Sequence, residues 1–443
     1  MIFKNPPLAP EDINEHGQVV NEKILNRDRI KFGFGTILYQ SEEVGLGGVP
    51  TAIIRMLGGN DFHLGIYGAV NGIPSVFQWV GTLLLRKFNS NRRAMLFAMA
   101  ANFVTASLIV FCILASVIPQ FKPFSLWGYL LLALVFNAVG GTQLNIESAW
   151  IGDLVPTNRL GWFTSAKWIL GVLGICLFAN AIGKVCDRYP NAAGYSSIYI
   201  LFALSFIVAA FLFKTVTDRT PKNANFVSAG SSHHERLNYT SAALWCYIGF
   251  YVLWASGRNI MFAFNNAYLM DVFGFSLSKL ALLFTLQYFI SCIVIFIVGK
   301  FTDNTGNRIP LLFVSGFVAL SMFLWPLTAW MGLGPVIAFF IINGAAGHTH
   351  AMLAINLGLE IFPDKGRSAY LAFSRFFIGF IGIVMPIAAG KIMTSVPFIH
   401  NFSLSLHGAT LTRYHLAFTL AAFITLACTV PLLLLGRRKV VSG

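Results

Sequence analysis

The sequence predicts an all-α membrane protein, with twelve transmembrane helices in two six-helix bundles and both termini in the cytoplasm. Three observations carry this expectation: scarce charge, twelve apolar runs long enough to cross a bilayer, and cations crowded on one side of those runs. Only 11% of the 443 residues are charged and 56% are hydrophobic, with a mean hydropathy of +0.70. Soluble domains carry ~25% charge, so this chain could not cover the surfaces of two or three of them.

A spanning helix needs ~20 apolar residues. Such runs cover 32–57, 63–85, 95–118, 125–150, 162–183, 196–214, 241–267, 275–298, 309–330, 334–359, 368–392 and 413–436. The chain then divides into a cytoplasmic tail (1–31), an N-terminal bundle (32–214), a cytoplasmic linker (215–240), a C-terminal bundle (241–436) and a tail (437–443). The first thirty residues are polar, contain Pro6-Pro7 and lack the apolar core of a signal peptide. With the N-terminus inside, inner segments hold 21 Lys and Arg and outer segments six (Arg55, Lys122, Lys184, Arg188, Lys391 and Arg413). That bias sets orientation, so the net charge of +14 reports topology and implies no nucleic-acid partner. The six cysteines show no paired spacing, and Asn401-Phe-Ser is read as a chance glycosylation triplet.

Between the eighth and ninth runs lies Gly299–Arg308, GKFTDNTGNR. Its two glycines permit a tight turn, with Asp303 and Arg308 free to pair with each other or with helix ends. The halves also repeat. FNAVGG (136–141) matches INGAAG (342–347), and DLVPTNR (Asp153–Arg159) matches EIFPDKGR (Glu360–Arg367). Beyond that turn, Lys167, Gly171 and Gly174 stand 208 residues before Arg375, Gly379 and Gly382. In the first half the decapeptide is degraded to GTLLLRKFNSNRR, with Leu85 where the acid would stand.

The pattern G-x-x-x-D-x-x-G-x-R between two spans resembles the loop joining the second and third helices of each half of major facilitator superfamily (MFS) transporters. WIGDLVPTNRLGWFTSAK is similar to the fourth-to-fifth-helix loop of a bacterial subgroup. The resemblance implies a parallel repeat of six-helix halves, a cavity lined by the first, fourth, seventh and tenth spans, and an inner latch. That latch would contain Gly299, Asp303, Gly306, Arg308, Asp153, Arg159, Glu360 and Arg367, with Asp303 reaching the helix that begins near Gly161. Leu85 then removes the symmetric contact.

Ionisable groups inside spans cost at least ~2.5 kcal/mol at the bilayer centre and mark function by default. Here they are Glu42, Glu43, Glu147, Lys167, Arg258, His348, His350 and Arg375. Aligning the halves through Gly59 and Gly274 sets Glu43 opposite Arg258, and the resemblance brings Glu42 or Glu43, Glu147, Arg258 and both histidines to one cavity. A carboxylate there can carry a proton while arginine grips an anionic group. The alternative is an ion pair holding the halves together. Glu42 and Glu43 point ~100° apart on a helix, so at most one faces a cavity squarely. His348 and His350 face opposite sides and cannot chelate one metal, though either can titrate near neutral pH. Lys167 and Arg375 share a helix face with glycines at +4 and +7 and are read as helix-packing cations.

The function expected is a monomeric secondary transporter moving a small organic solute by alternating access, coupled to protons, in the cell membrane (a bacterial inner membrane), with lipids as its surroundings. No G-x-x-x-x-G-K-[ST], G-x-S-x-G or H-E-x-x-H is present, which argues against ATP drive and against a hydrolase or metalloenzyme. No cofactor is expected. A lipid translocase or a transporter-like sensor is the alternative.

Overall fold

The computed structural model describes residues 21–39, 48–155, 160–218, 239–362 and 367–435. Its helices run in chain order as α1 (Glu22–Tyr39), α2 (Val49–Met56), α3 (Asp61–Gly68), α4 (Ile73–Phe88), α5 (Asn91–Ala115), α6 (Lys122–Leu154), α7 (Leu160–Arg188) and α8 (Ala192–Lys214). After the linker come α9 (Ala242–Asp271), α10 (Leu277–Thr305), α11 (Arg308–Met322), α12 (Leu324–Met331), α13 (Gly334–Ile361), α14 (Arg367–Ser395), α15 (Pro397–His400), α16 (Arg413–Ala427) and α17 (Thr429–Leu434). The described residues of each of the twelve apolar runs fall largely on one or two of these helices. Nine helical segments among the described residues are long and apolar enough to cross a bilayer.

Two compact units form. The first holds residues up to 58 and 73–234; the second holds 59–72 and everything from 235 onward. In the first unit, rings fill the space between helices. Phe32 meets Trp150 and Phe213 with centroids 5.3 and 5.2 Å away, and Phe136 packs on Tyr199, Phe202 and Phe206. Exposed Phe111, Leu131, Leu177 and Phe211 cover the outside, as a bilayer requires. In the second unit, Tyr268 is ringed by Trp325, Tyr414, His415 and Phe418.

Three features depart from the sequence expectation. The first helix starts at Glu22 rather than near 32, so part of the expected tail is structured. Asp28 and Arg29 are buried. Asp28 accepts from Thr217 N (2.9 Å) and Thr217 Oγ1, and Arg29 Nε donates to Leu154 O at 2.8 Å. Polar residues that read as a tail are thus spent on neighbouring helix ends. Second, Gly299–Arg308 is not a turn: α10 continues through Thr305, and the break is confined to Gly306 and Asn307. Gly306 takes φ 71°, the left-handed conformation that ends helices and that glycine adopts without steric cost. Third, the fold is not purely helical. An antiparallel hairpin pairs β1 (Ser403–Leu406) with β2 (Ala409–Thr412), and its tip, His407-Gly408, has positive φ at both residues, as a two-residue turn requires.

Candidate functional site

In the first unit, close backbone approach decides which face of α6 is buried. A Cβ at Gly141 would strike Pro74 backbone of α4, and one at Gly81 would lie 2.7 Å from Thr142 O. With α4 clamped there, α6 also buries Gln143 and Glu147, one turn apart. Glu147, at 2% exposure, is salt-bridged to Lys167 of α7, at 11%. Gln143 Oε1 accepts from Asn102 Nδ2 of α5 at 3.1 Å, leaving Gln143 Nε2 and Asn102 Oδ1 without partners among the described residues. Glu147 and Lys167, expected in separate roles, are therefore one buried ion pair. Gly174 seats Ile37 of α1, so small-residue packing survives on that stripe, while its cation is engaged with an acid.

The second unit gathers a different set. On α9, Trp254 and Arg258 stand one turn apart, and the guanidinium lies over Trp254 (5.6 Å to the ring centroid) and Phe262 (5.0 Å). From α13, His350 stacks flat on Trp254, with centroids 3.4 Å apart and planes 7° apart. Asn343, Gly347 and His350 occupy i, i+4 and i+7 of α13 and so share its face. A Cβ at Gly347 would lie 3.4 Å from both Arg258 Nη2 and Asn343 Oδ1, so glycine lets the guanidinium approach α13. Gln287 of α10 packs its backbone against Gly344.

Among the described residues no carboxylate pairs with Arg258. His350 Nε2, Asn343 Nδ2 and Gln287 Oε1 are buried without hydrogen-bond partners among the described residues. Buried polar groups are nearly always paired, so these unpaired atoms on α10 and α13, with the aromatic-held cation of α9, mark the candidate site of the second unit. Trp254 itself is enclosed, at 5% exposure, with His350 flat on its ring and the Arg258 guanidinium 5.6 Å from its centroid. Trp254, Asn343 and Gln287 escaped the sequence reading, because neutral polar and aromatic residues are ordinary in membrane spans.

The inner-latch residues also find partners, within each unit. Asn91 Nδ2 donates to Asp153 at 2.7 Å in the first, and Asn307 Nδ2 donates to Glu360 in the second. Arg308 donates to Leu432 O (3.0 Å) and Leu433 O (2.8 Å) in the last turn of α17, where a cation complements the unpaired carbonyls. The repeated Asn-Arg pairs (Asn91-Arg92, Asn307-Arg308) were the available signal for this asparagine–acid bond. Arg375 is exposed, and the stripe it heads packs on residues 65–72. A Cβ at Gly72 would lie 2.5 Å from Gly379 O, and Gly65 and Gly68 abut Pro386. Asp61, at the start of this segment, accepts from Arg413 Nε (2.8 Å) and from Tyr414 OH (3.2 Å), which also reaches Asp271 (3.1 Å). Glu42, Glu43 and Arg159 lie outside the described residues, as do the side chains of Asp303, His348 and Arg367.

Comparison with known proteins fits these observations. The family model of the Major Facilitator Superfamily matches residues 34–357 and 248–443. Among solved structures, a point mutant of the nucleoside transporter NupG superposes with a TM-score of 0.71 at 12% identity, covering 93% of this chain and 100% of that one. The xylose transporter XylE of E. coli, in its inward-open conformation, gives 0.70 at 11% identity over 94% and 98%. A bacterial homologue of the iron transporter ferroportin, inward-facing, gives 0.67 at 14% over 93% and 99%. No curated protein sequence matches the chain.

Proposed function

The chain belongs to the Major Facilitator Superfamily, and on that premise we propose that it is a secondary active transporter carrying a small organic solute by alternating access, coupled to protons. Twelve spans with both termini inside follow from the positive-inside bias. The observation that carries the reading is the α9–α10–α13 cluster: Arg258 held on Trp254, and one buried atom each of His350, Asn343 and Gln287 unpaired among the described residues. Such a surface suits a solute with an anionic or polyhydroxylated end. Glu42 or Glu43, the carboxylates in the middle of the first apolar segment, is the proposed proton carrier. The ion-paired Glu147 is the weaker candidate, since its carboxylate is already engaged by Lys167.

Similar proteins include a D-xylose-proton symporter and a nucleoside transporter, which makes pentoses, nucleosides and small carboxylates the first members of a test panel. The protein, reconstituted in vesicles, should accumulate at least one of them faster under an inward-directed proton gradient. No gradient-dependent flux of any water-soluble compound would remove the reading. Glu43→Gln should abolish proton-driven uptake and spare counterflow. Normal coupling in both Glu42→Gln and Glu43→Gln would exclude a first-segment carrier.

A further inference from the structure

A groove on the outer face of the first unit belongs to none of this. It lies between α5 and α8, encloses about 270 Å³, and is lined by Leu96, Met99, Ala100 and Phe103 on one side and Phe206, Ile207, Ala210 and Phe211 on the other, with Lys214 at its end. Phe103, Ile207 and Phe211 are exposed, so the groove opens to whatever surrounds the protein.

The start of α5 meets the end of α8, since Ser90, Asn91 and Arg92 all donate to Asp218 just beyond Lys214, so the two helices run past each other in opposite directions. Positions 93, 96, 100 and 103 of α5 recur at helical spacing on one face, as do 207, 211 and 214 of α8. Arg93 and Lys214 therefore head the two stripes that line the groove, both at the same rim and both exposed. Neither is bonded to a carboxylate among the described residues. The nearby acid Asp218 is occupied, accepting from Ser90 Oγ and from the backbone N–H of Asn91 (3.2 Å) and Arg92 (3.1 Å). The positive-inside bias needs cations somewhere on this rim; it does not need them on the lining stripes. In the second half, where Asn307-Arg308 matches Asn91-Arg92, Ile309 stands at the position of Arg93, so that half lacks this cation.

We propose that this groove is a binding site for an acidic glycerophospholipid of the inner leaflet, its acyl chain against Met99, Phe103 and Ile207 and its phosphate between Arg93 and Lys214. An apolar slot with two cations at the leaflet rim matches that molecule in both shape and charge. A zwitterionic lipid would fill the slot, but its own cation would oppose Arg93 and Lys214.

The test titrates the purified full chain with phosphatidylglycerol and, separately, phosphatidylcholine of the same acyl composition, counting bound lipid by native mass spectrometry. Each cation near a leaflet surface is worth about fivefold in affinity for an acidic lipid. Arg93→Gln/Lys214→Gln should therefore weaken phosphatidylglycerol roughly 25-fold, to the phosphatidylcholine level. Ala100→Phe, which plugs the groove from an exposed position, should weaken both lipids while leaving the cations in place. Equal retention of the two lipids by the unaltered protein, phosphatidylglycerol binding unmoved by either variant, or a second copy of the chain seated in the groove would each overturn the proposal.

Discussion

Two charges set in apolar helices, one in each unit, are treated in opposite ways. In the first, Glu147 and Lys167 neutralise each other, and the neighbouring amides of Asn102 and Gln143 bond to each other. In the second, Arg258 rests on two aromatic faces, and one buried atom each of His350, Asn343 and Gln287 is unpaired among the described residues. A buried ion pair contributes little net stability because desolvation offsets attraction, yet removing one partner is costly. An aromatic-held cation keeps most of its N–H groups uncommitted, so another molecule can still use them. Position alone did not separate the two cases, since both are charges deep in apolar helices. Partnership did.

The largest effect should come from Arg258. Arg258→Gln removes the cation and most of its donors, while Arg258→Lys keeps the charge and loses the planar fork. Both should lower solute uptake in vesicles at least ~100-fold, given that a lost charge-assisted bond leaving buried groups unpaired costs ~3 kcal/mol or more. Thermal stability should change little, because no carboxylate among the described residues is left behind. Unfolding temperatures that drop sharply while transport persists would make Arg258 a structural residue like Lys167 and erase the contrast.

The second effect falls on stability. Glu147→Gln strands the Lys167 ammonium and Lys167→Met strands the carboxylate, each at ~3 kcal/mol or more, whereas the double variant should recover most of the loss. Thermal unfolding of the four proteins in detergent forms a double-mutant cycle. Additive losses would mean that the pair is not coupled. A double variant that folds well yet has lost proton coupling would move Glu147 back among the proton carriers.

The third effect tests the asymmetry of the two decapeptide relatives. Asp303→Asn should slow transport about tenfold, as expected for a lost charge-assisted contact, and far more than Leu85→Ala. Leu85 is buried on α4, so its truncation should appear in thermal stability first. Equal transport defects in the two would end the idea that one surviving acid serves the latch.

Legibility in the sequence followed the range of the interactions. Twelve apolar runs were visible because length and hydropathy are local. Arg258 and His350 stood out because a polar group in such a run is conspicuous. Glu147 and Lys167 were both noticed but not joined, since their bond depends on how α6 and α7 pack across a turn. Asp28 read as tail because its partner, Thr217, is 189 residues away. Trp254, Asn343 and Gln287 carried no signal at all: Trp254 matters because His350 and Arg258 gather on it, and the two amides because each keeps a buried atom unpaired among the described residues, which depends on tertiary packing.

The smallest effect compares the two asparagine–acid bonds. Asn91→Ala and Asn307→Ala each remove a hydrogen bond to a carboxylate, ~1.5–3 kcal/mol, but their surroundings differ. Asn91 sits at the start of α5, where Asp218 and Ser90 also cap the helix, so its loss leaves a terminus that is still held. Asn307 sits in the two-residue break between α10 and α11, with Gly306 before it and Arg308 tying that corner to α17. Hydrogen exchange should therefore show faster opening at the start of α11 in Asn307→Ala than at the start of α5 in Asn91→Ala. Equal protection at the two helix starts would mean that the Asp218 cap adds nothing, and that the halves differ in their buried charges but not in how their inner corners are held.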